Sequence, residues 1–289
     1  MPDWAVTRRP AGSWLALLAI AALLALITDG ESDSAAANRT VRVSPSDPLH
    51  ATAPKRPTAA SRLAGAVTGV LAHSSFVVRG GGEKREIALT FDDGPGPYTP
   101  QVLVALNRLH VKATFFVIGQ QEQTFHTAMM AENGRGDVIG DHTESHPHLA
   151  SLSARDQHDE LEAPLQGLAR YGLPRPQLFR PPYGSYDATT TGELRRMGML
   201  MVLWSVDTQD YLRPGVSQIV ANAVSAARPG AIILLHDGGG DRSQTVAAVP
   251  QIVARLRAKH YRLVTVPQLL LDDPPPASRR APRLPITEG

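Results

Sequence analysis

The sequence predicts an α/β fold, a small or incomplete β/α barrel, between about residues 83 and 270. Short apolar runs rich in β-forming residues alternate there with segments of helical length. Most of these runs are apolar at every position, which is typical of parallel strands that helices bury on both faces. The roughly 185 residues available suit a small barrel of this kind, and an open doubly wound sheet is the alternative.

The local patterns place six strands and several helix boundaries. Amphipathic segments at 214–227 and 243–260 predict helices. Thr99 with Pro100 indicates the start of another helix, and Gly198 indicates a helix end. The predicted strands lie at 87–91, 113–118, 137–140, 199–204, 231–235 and 261–266.

The composition narrows the possible functions. The 289 residues carry a formal net charge of only +2, which argues against a nucleic-acid protein with a basic face. The chain contains no Cys, so any metal must be bound by His, Asp or Glu. Residues 31–82 are rich in Ala, Ser, Pro and Thr and predict a flexible stem, and residues 271–289 predict a disordered tail rich in Pro and Arg.

The first thirty residues predict export from the cytoplasm. Residues 14–27 are apolar and uncharged, and Arg8 and Arg9 precede them, as in a signal peptide or a membrane anchor over residues 1–30. The run is long for a signal core and short for a membrane span, so both interpretations stay open. The rest of the chain is expected at the outer face of the cell membrane, or secreted if the segment is cleaved.

Polar residues follow several predicted strands, where the carboxyl ends of a parallel sheet form its reactive edge. Asp92 and Asp93 end the first strand and precede Gly94 and Pro95. Because neighbouring side chains of a strand point to opposite faces, we expect one carboxylate to bind a metal and the other to face a water molecule. Taken alone, this segment is at least as typical of a turn.

A pair of histidines forms the second candidate. His142 and His146 are four residues apart, and on a helical turn that spacing lets both imidazoles reach one cation. Glu144 is expected to point away from that cation, and His148 to lie at the rim of the site. Taken alone, a pair with this spacing also arises by chance in a chain with 10 His.

Three further segments, 179–184, 207–211 and 232–238, carry polar residues after apolar ones. Arg180 precedes a double proline and can bind a carboxylate with its planar guanidinium. His236 ends a fully apolar strand. Each segment alone is also compatible with a solvated turn or a structural histidine.

Together, the five segments resemble the NodB-type polysaccharide deacetylases, also called carbohydrate esterase family four. The motifs TFDDGP, HTxSH, RPPYG, DxxDY and LLHD occur in the family's order over about residues 84–270. The resemblance implies a distorted β/α barrel and a polysaccharide substrate. It also implies a divalent metal, most often zinc, with Co²⁺, Ni²⁺ or Mn²⁺ as alternatives. Nothing in the sequence points to a protein partner.

The resemblance also implies a role for each matching residue. Asp92 is the implied general base, paired with Arg180, and His236 the implied general acid, oriented by Asp207. The backbone N–H of Tyr183 is implied to stabilise the oxyanion. The implied metal ligands are Asp93, His142 and His146. The implied substrate-binding residues are Tyr183, Leu234 and Tyr211.

Three differences from the family bear on substrate and metal. Glu144 fills a variable position inside the histidine motif. Tyr211 stands where Trp is common, and Asp141 stands where Asn is common, which is expected to add a negative charge near the metal. The expected reaction removes N-acetyl groups from N-acetylglucosamine-type residues of peptidoglycan or a chitin-like polymer.

Three alternatives to this reaction remain. An acetylxylan-type O-acetyl esterase would use the same residues. An inactive carbohydrate-binding pseudoenzyme would typically have lost Asp92, His236 or a metal ligand, and all are present. A hydrolase of cyclic ureides on a related barrel fits less well with the export signal and the TFDDGP motif.

Overall fold

The computed structural model describes residues 57–276, in which a parallel β-sheet is covered by helices. The strands of this part of the chain are β1 (Phe76–Val77), β2 (Glu86–Gly94), β3 (Thr114–Val117), β4 (Val138–Asp141), β5 (Leu178–Phe179), β6 (Leu200–Val202), β7 (Val206–Asp207), β8 (Ile232–His236) and β9 (Arg262–Val264). Its α-helices are α1 (Ala59–Leu71), α2 (Thr99–Arg108), α3 (Gly119–Glu122), α4 (His126–Arg135), α5 (Ala154–Arg170), α6 (Ala188–Met197), α7 (Val216–Ser225), α8 (Ser243–Ala258) and α9 (Val266–Asp272).

The strand order makes β2 the centre of the sheet. The order is β1-β6-β5-β4-β3-β2-β8-β7, every one of these pairs is parallel, and β9 pairs with the first residues of β2. Within residues 57–276 no pairing joins β1 to β7, so the sheet curls into a half-barrel without closing. The prediction of an incomplete β/α barrel with parallel strands is therefore confirmed.

Both faces of the central strand are buried. Ile87, Leu89 and Phe91 pack with apolar residues of α2, α7 and α8, whereas Ala88 belongs to a second cluster to which α1 and α9 contribute. Burying one such aliphatic or aromatic side chain contributes about 1.5–3 kcal/mol. Successive apolar residues at 87–89, on both faces of β2, are thus what a strand between two helical layers requires.

The folded part begins earlier than the sequence predicted. Residues 59–77 fall in the predicted stem, yet they form α1 and β1, and β1 pairs with β6. Val67 and Val70 of α1 are buried against α9. The stem prediction was wrong from residue 57 onward, because the helix is stabilised by a partner almost 200 residues away. The preceding part of the stem lies outside the described residues.

The carboxyl-terminal boundary also shifts slightly. Helix α9 continues to Asp272, and one carboxylate oxygen of Asp273 accepts hydrogen bonds from three successive backbone N–H groups, each at 2.8 Å. Asp273 therefore ties the end of the fold to the segment that leads into β2. The tail beyond residue 276 lies outside the described residues.

The predicted helix boundaries agree with the structure. Thr99 begins α2 and accepts a hydrogen bond from the Gly96 N–H at 2.7 Å, and Gly198 ends α6 with a φ of 70°. No helix within residues 57–276 is long and apolar enough to cross a membrane. The apolar run at 14–27 lies outside the described residues.

Candidate active site

The polar residues singled out in the sequence meet at the carboxyl edge of the sheet. Asp92 lies two residues before the end of β2, His236 ends β8, and these two residues are register partners in the sheet. The segments after β4, β5 and β7 bring the remaining side chains to the same edge. Together they surround a cavity of about 670 Å³, a volume within the usual range for ligand sites.

Asp93, His142 and His146 form a cluster suited to a metal ion. The Nε2 atoms of His142 and His146 lie 3.5 and 3.1 Å from Asp93 Oδ1, and the ligand atoms all lie within 4.8 Å of one another. His142 Nδ1 lies 2.7 Å from the Arg180 carbonyl oxygen and must donate to it, so in the neutral ring Nε2 presents its lone pair to the cluster.

The surroundings of Asp93 show whether the cluster fits a cation. Asp93 Oδ1 is buried and accepts no hydrogen bond within the described residues. Burial alone would raise the pKa of Asp93, but the two histidines hold it well below its usual value. An ionised carboxylate and two imidazole nitrogens that converge on one point supply the ligand types of a divalent cation. The three predicted ligands therefore fit a divalent metal, and these residue types are those that zinc prefers when no Cys is available.

The backbone brings these ligands together in a way that the sequence did not predict. Asp93 has a φ of 68°, and the register of β2 shifts between Asp92 and Gly94. Both carboxylates consequently face His142, at 3.7 Å for Asp92 Oδ2. The expectation that strand alternation would separate the two acids was wrong, because the irregularity interrupts the period of two.

The histidine motif is also not a helical turn. His142 follows β4 in an irregular segment, and Thr143 and His146 have φ values of 70° and 63°. The prediction of a helical turn was wrong, although both imidazoles reach the same carboxylate. The backbone N–H of His146 donates to Thr143 Oγ1 at 3.0 Å, which helps to fix this strained conformation.

Asp92 and Arg180 form a buried ion pair, as the resemblance implied. Arg180 Nη1 donates to Asp92 Oδ1 at 2.7 Å, and the Arg180 side chain has no exposed surface. The guanidinium also donates to Thr90 Oγ1 and the Val202 carbonyl, and it stacks 4.2 Å from the centre of the Phe116 ring. These contacts satisfy a buried cation and leave Asp92 Oδ2 directed toward the cluster.

The structure assigns His236 a different partner from the predicted one. His236 Nδ1 lies 2.8 Å from Asp210 Oδ1, and the His236 N–H donates to Asp210 Oδ2 at 2.8 Å. Burial lowers the pKa of an imidazole, but the charge and hydrogen bond of Asp210 raise the pKa of His236 to about 9. His236 is therefore protonated at neutral pH, as a general acid must be.

Asp207, the predicted partner of His236, acts on another side chain. Its Oδ1 accepts the Gln209 N–H at 2.8 Å, and its Oδ2 accepts the Tyr211 hydroxyl at 3.3 Å. The Tyr211 ring packs edge-on against His236 with 5.4 Å between centres. The assignment to Asp207 was wrong because the 3₁₀ turn after β7 directs Asp210 inward. The second Asp of the DxxDY motif was the available signal.

Tyr183 and Leu234 lie where the resemblance implied. Tyr183 has a φ of 58°, and its hydroxyl lies 3.1 Å from His146 Nδ1. The ring of His148, an exposed residue at the rim as expected, stacks on Tyr183 at 4.0 Å. Leu234 and Tyr211 line the cavity. The oxyanion role of the Tyr183 N–H remains a prediction.

The two acids flanking the histidine motif do not join the cluster. Glu144 lines a separate cavity with Glu122, so the expectation that it points away from the metal ligands is confirmed. Asp141 is fully buried, and burial raises its pKa well above the usual value. The charge that was expected from Asp141 near the metal is therefore strongly disfavoured.

The site has the parts of a hydrolytic centre for acyl transfer. These parts are a carboxylate paired with an arginine, a charged imidazole paired with a carboxylate, and an Asp-His-His cluster between them. Residues 79–202 match the family model described as polysaccharide deacetylase. The chain is 41% identical over 187 residues to a peptidoglycan-N-acetylglucosamine deacetylase of Bacillus cereus. The aligned region covers 64% of this chain and 87% of that protein. The chain belongs to the polysaccharide deacetylase family, and its named curated relatives are deacetylases.

Two further comparisons agree. A chitooligosaccharide deacetylase of Bradyrhizobium is 37% identical over 199 residues, covering 64% of this chain and 90% of that protein. The crystal structure of a peptidoglycan N-acetylglucosamine deacetylase in complex with an N-oxidanyl-benzamide superposes with a TM-score of 0.67 at 31% identity. That match covers 73% of this chain and 98% of the other.

Proposed function

We propose that this protein is a metal-dependent deacetylase that removes N-acetyl groups from N-acetylglucosamine-type residues of a cell-wall polysaccharide. The observation that carries the proposal is the placement of Asp92 and His236, each with its own buried partner, beside the Asp93 cluster. The similarity to deacetylases of peptidoglycan and of chitooligosaccharides supports the substrate class.

Asp92 accepts a proton from the attacking water as its oxygen bonds to the amide carbonyl carbon. Arg180 keeps Asp92 oriented with one oxygen free for that proton. The N–H of Tyr183 stabilises the negative charge that develops on the carbonyl oxygen. His236 donates its proton to the amide nitrogen while the C–N bond breaks, giving acetate and an amine.

Asp93, His142 and His146 would hold the divalent cation. A bound dication supplies Lewis-acid chemistry, lowering the pKa of water from 15.7 towards ~7. His142 is fixed for this role by the Arg180 carbonyl, and His146 lies against the Tyr183 hydroxyl.

The roles of base and acid separate in a two-substrate experiment. An amine leaves badly without a proton, whereas the phenolate of an aryl acetate leaves without help. His236→Ala should therefore lose at least about a hundredfold of kcat on N-acetylglucosamine oligomers and much less on an aryl acetate. Asp92→Asn should lose activity on both substrates. Equal losses for His236→Ala on the two substrates would remove the general-acid role.

The same assay tests the choice of polymer. The full-length protein should release acetate from N-acetylglucosamine polymers in preference to acetylxylan. Faster release from acetylxylan would replace the proposed amidase with an O-acetyl esterase.

We also propose that the catalytic domain lies outside the cytoplasmic membrane. The proposal rests on Arg8, Arg9 and the apolar run 14–27, which lie outside the described residues. A reporter enzyme that works only outside the cytoplasm, fused after Gly289, should be active. Activity of only a cytoplasmic reporter at the same position would contradict this.

A further inference from the structure

The rim of the active-site cavity carries an apolar and a cationic side chain next to each other. Leu212 ends a 3₁₀ turn that follows β7, and Arg213 comes directly after it. Both line the cavity that contains Asp92 and His236, yet Leu212 is 60% exposed and the Arg213 side chain 58% exposed. A leucine of this exposure beside a catalytic cavity is available to pack against a ligand.

The turn holds these two side chains in a fixed position. Gln209 and Arg213, which flank the turn, have φ values of 55° and 52°, a conformation that costs about 1–3 kcal/mol for residues other than glycine. Asp210 anchors the turn from within, because its carboxylate also accepts the Thr245 hydroxyl at 2.6 Å and is 1% exposed. Since Asp210 also binds His236, the rim and the proposed general acid are connected through one buried carboxylate.

Within residues 57–276, Arg213 is the arginine of the cavity lining that a ligand can reach. The cavity lining includes one other arginine, Arg242, but it is 5% exposed and donates to the Gly238 and Gly239 carbonyls at 2.7 and 2.8 Å. Within residues 57–276, the guanidinium of Arg213 has its nearest acid in Asp241 at 3.8 Å, which is beyond hydrogen-bonding distance. Asp241 is itself 45% exposed.

The charge of the cavity decides which glycan benefits from this arginine. The carboxylates of Asp92 and Asp93 on the floor are offset by His236 and by the cation that the Asp93 cluster would hold, so an anionic glycan is not repelled there. Such a glycan can form a charge pair with Arg213, and a neutral glycan cannot. The cavity is also larger than an acetyl group requires, which leaves room for part of a neighbouring sugar. A guanidinium matches a carboxylate through two parallel hydrogen bonds.

We propose that Leu212 and Arg213 form a subsite for the sugar next to the one that is deacetylated, and that this sugar carries a carboxylate. Leu212 packs on the apolar face of the ring, and Arg213 pairs with the carboxylate. A peptidoglycan strand whose lactyl carboxyl groups carry no stem peptide has this chemistry, and chitin-type polymers lack it. The inference rests on the proposed deacetylase function and narrows its substrate.

The test compares Arg213→Gln with the wild-type full-length protein on three glycans of equal length. These are a peptide-free peptidoglycan strand, the same strand with its carboxylates reduced to alcohols, and a chitooligosaccharide. We expect kcat/KM of the variant to fall about tenfold on the anionic strand and no more than about threefold on the two neutral glycans. Arg155→Gln, which removes an arginine 90% exposed on α5, is the matched control and should alter none of the three.

Two results would overturn the subsite. An equal loss on all three glycans would show that Arg213 contacts groups common to them, and no loss on the anionic strand would show that it contacts none. Leu212→Ala should raise KM on all three glycans alike. If the wild-type protein released no acetate, the proposed function would fail, while calorimetric binding of the anionic and reduced strands to wild type and Arg213→Gln would still decide the subsite.

Discussion

Replacing Asp210 by Asn tests the unit that controls the proposed general acid. Asp210 supplies both hydrogen bonds that hold His236, one to Nδ1 and one to the backbone N–H, each 2.8 Å long. The charge of His236 in turn keeps the pKa of Asp210 below its usual value, against the effect of burial. Asn keeps the shape of the side chain and removes the negative charge that stabilises the imidazolium.

The expected magnitude follows from the pKa of His236. With a pKa of about 9, His236 is roughly nine-tenths protonated at pH 8. Without Asp210 the pKa falls toward the ordinary value of about 6.5, and only about one molecule in thirty carries the proton. Activity toward the amide should therefore fall about thirtyfold at pH 8, and much less at pH 6.

The assay is the pH dependence of acetate release from an N-acetylglucosamine oligomer in the presence of the same divalent metal. His236 acts in its protonated form, so wild-type activity declines as pH rises through the pKa of His236, and the decline should start at lower pH in Asp210→Asn. Asp207→Asn is the control, because Asp207 accepts from Tyr211 and not from His236. An unchanged profile in Asp210→Asn, or a larger shift in Asp207→Asn, would refute the assignment. Thermal melting separates these effects from unfolding.

Three further predictions concern the metal and the fold. About one divalent ion should bind per chain and be removed by chelators, and His146→Ala should abolish binding in metal analysis; full activity after thorough stripping would contradict this. Arg242→Gln should weaken metal affinity in a competition titration, because Arg242 holds the Gly238–Gly239 turn against Asp93. Unchanged affinity would show that Arg242 does not help to position Asp93. A chain beginning at residue 83 should melt well below one beginning at residue 57, because it lacks four buried side chains worth about 1.5–3 kcal/mol each; equal melting temperatures would contradict this. These side chains are Val67, Val70, Phe76 and Val77.

The sequence was a good guide to the sheet wherever a strand is long. All six predicted strands are present, because a largely apolar run of four to six residues flanked by turn residues favours a strand. The strands β1, β5 and β7 were missed, since two residues each are too few to show a period. They form because neighbouring strands offer hydrogen-bonding groups at a fixed spacing. Those strands lie elsewhere in the chain, so the local sequence does not reveal the pairing.

The sequence identified the candidate site residues better than their geometry. The motifs supplied the residue types, and the structure brings Asp92, Asp93 and His236 together. The choice between Asp207 and Asp210 depended on the direction of a short turn with left-handed residues at both ends. No pattern of polar and apolar residues encodes such a conformation, because it is imposed by the packing of α8 behind the turn, where Thr245 meets Asp210.

The residues without a proposed catalytic role in the two Asp-Gly motifs, at 93–94 and 237–238, have a structural role. They contact one another although the two segments lie about 140 residues apart in the chain. Asp237 is buried beside Gly94, and a Cβ atom at Gly94 would lie 2.5 Å from its carboxylate. A Cβ atom at Gly238 would overlap the carbonyl of Asp93. Each glycine thus leaves the space in which the backbone or a side chain of the other motif lies. Asp237 also accepts a hydrogen bond from the Thr99 hydroxyl at the start of α2. Asp93 has a left-handed conformation at this close approach, with its carbonyl against Gly238, so residues outside the metal cluster help to position one of its ligands.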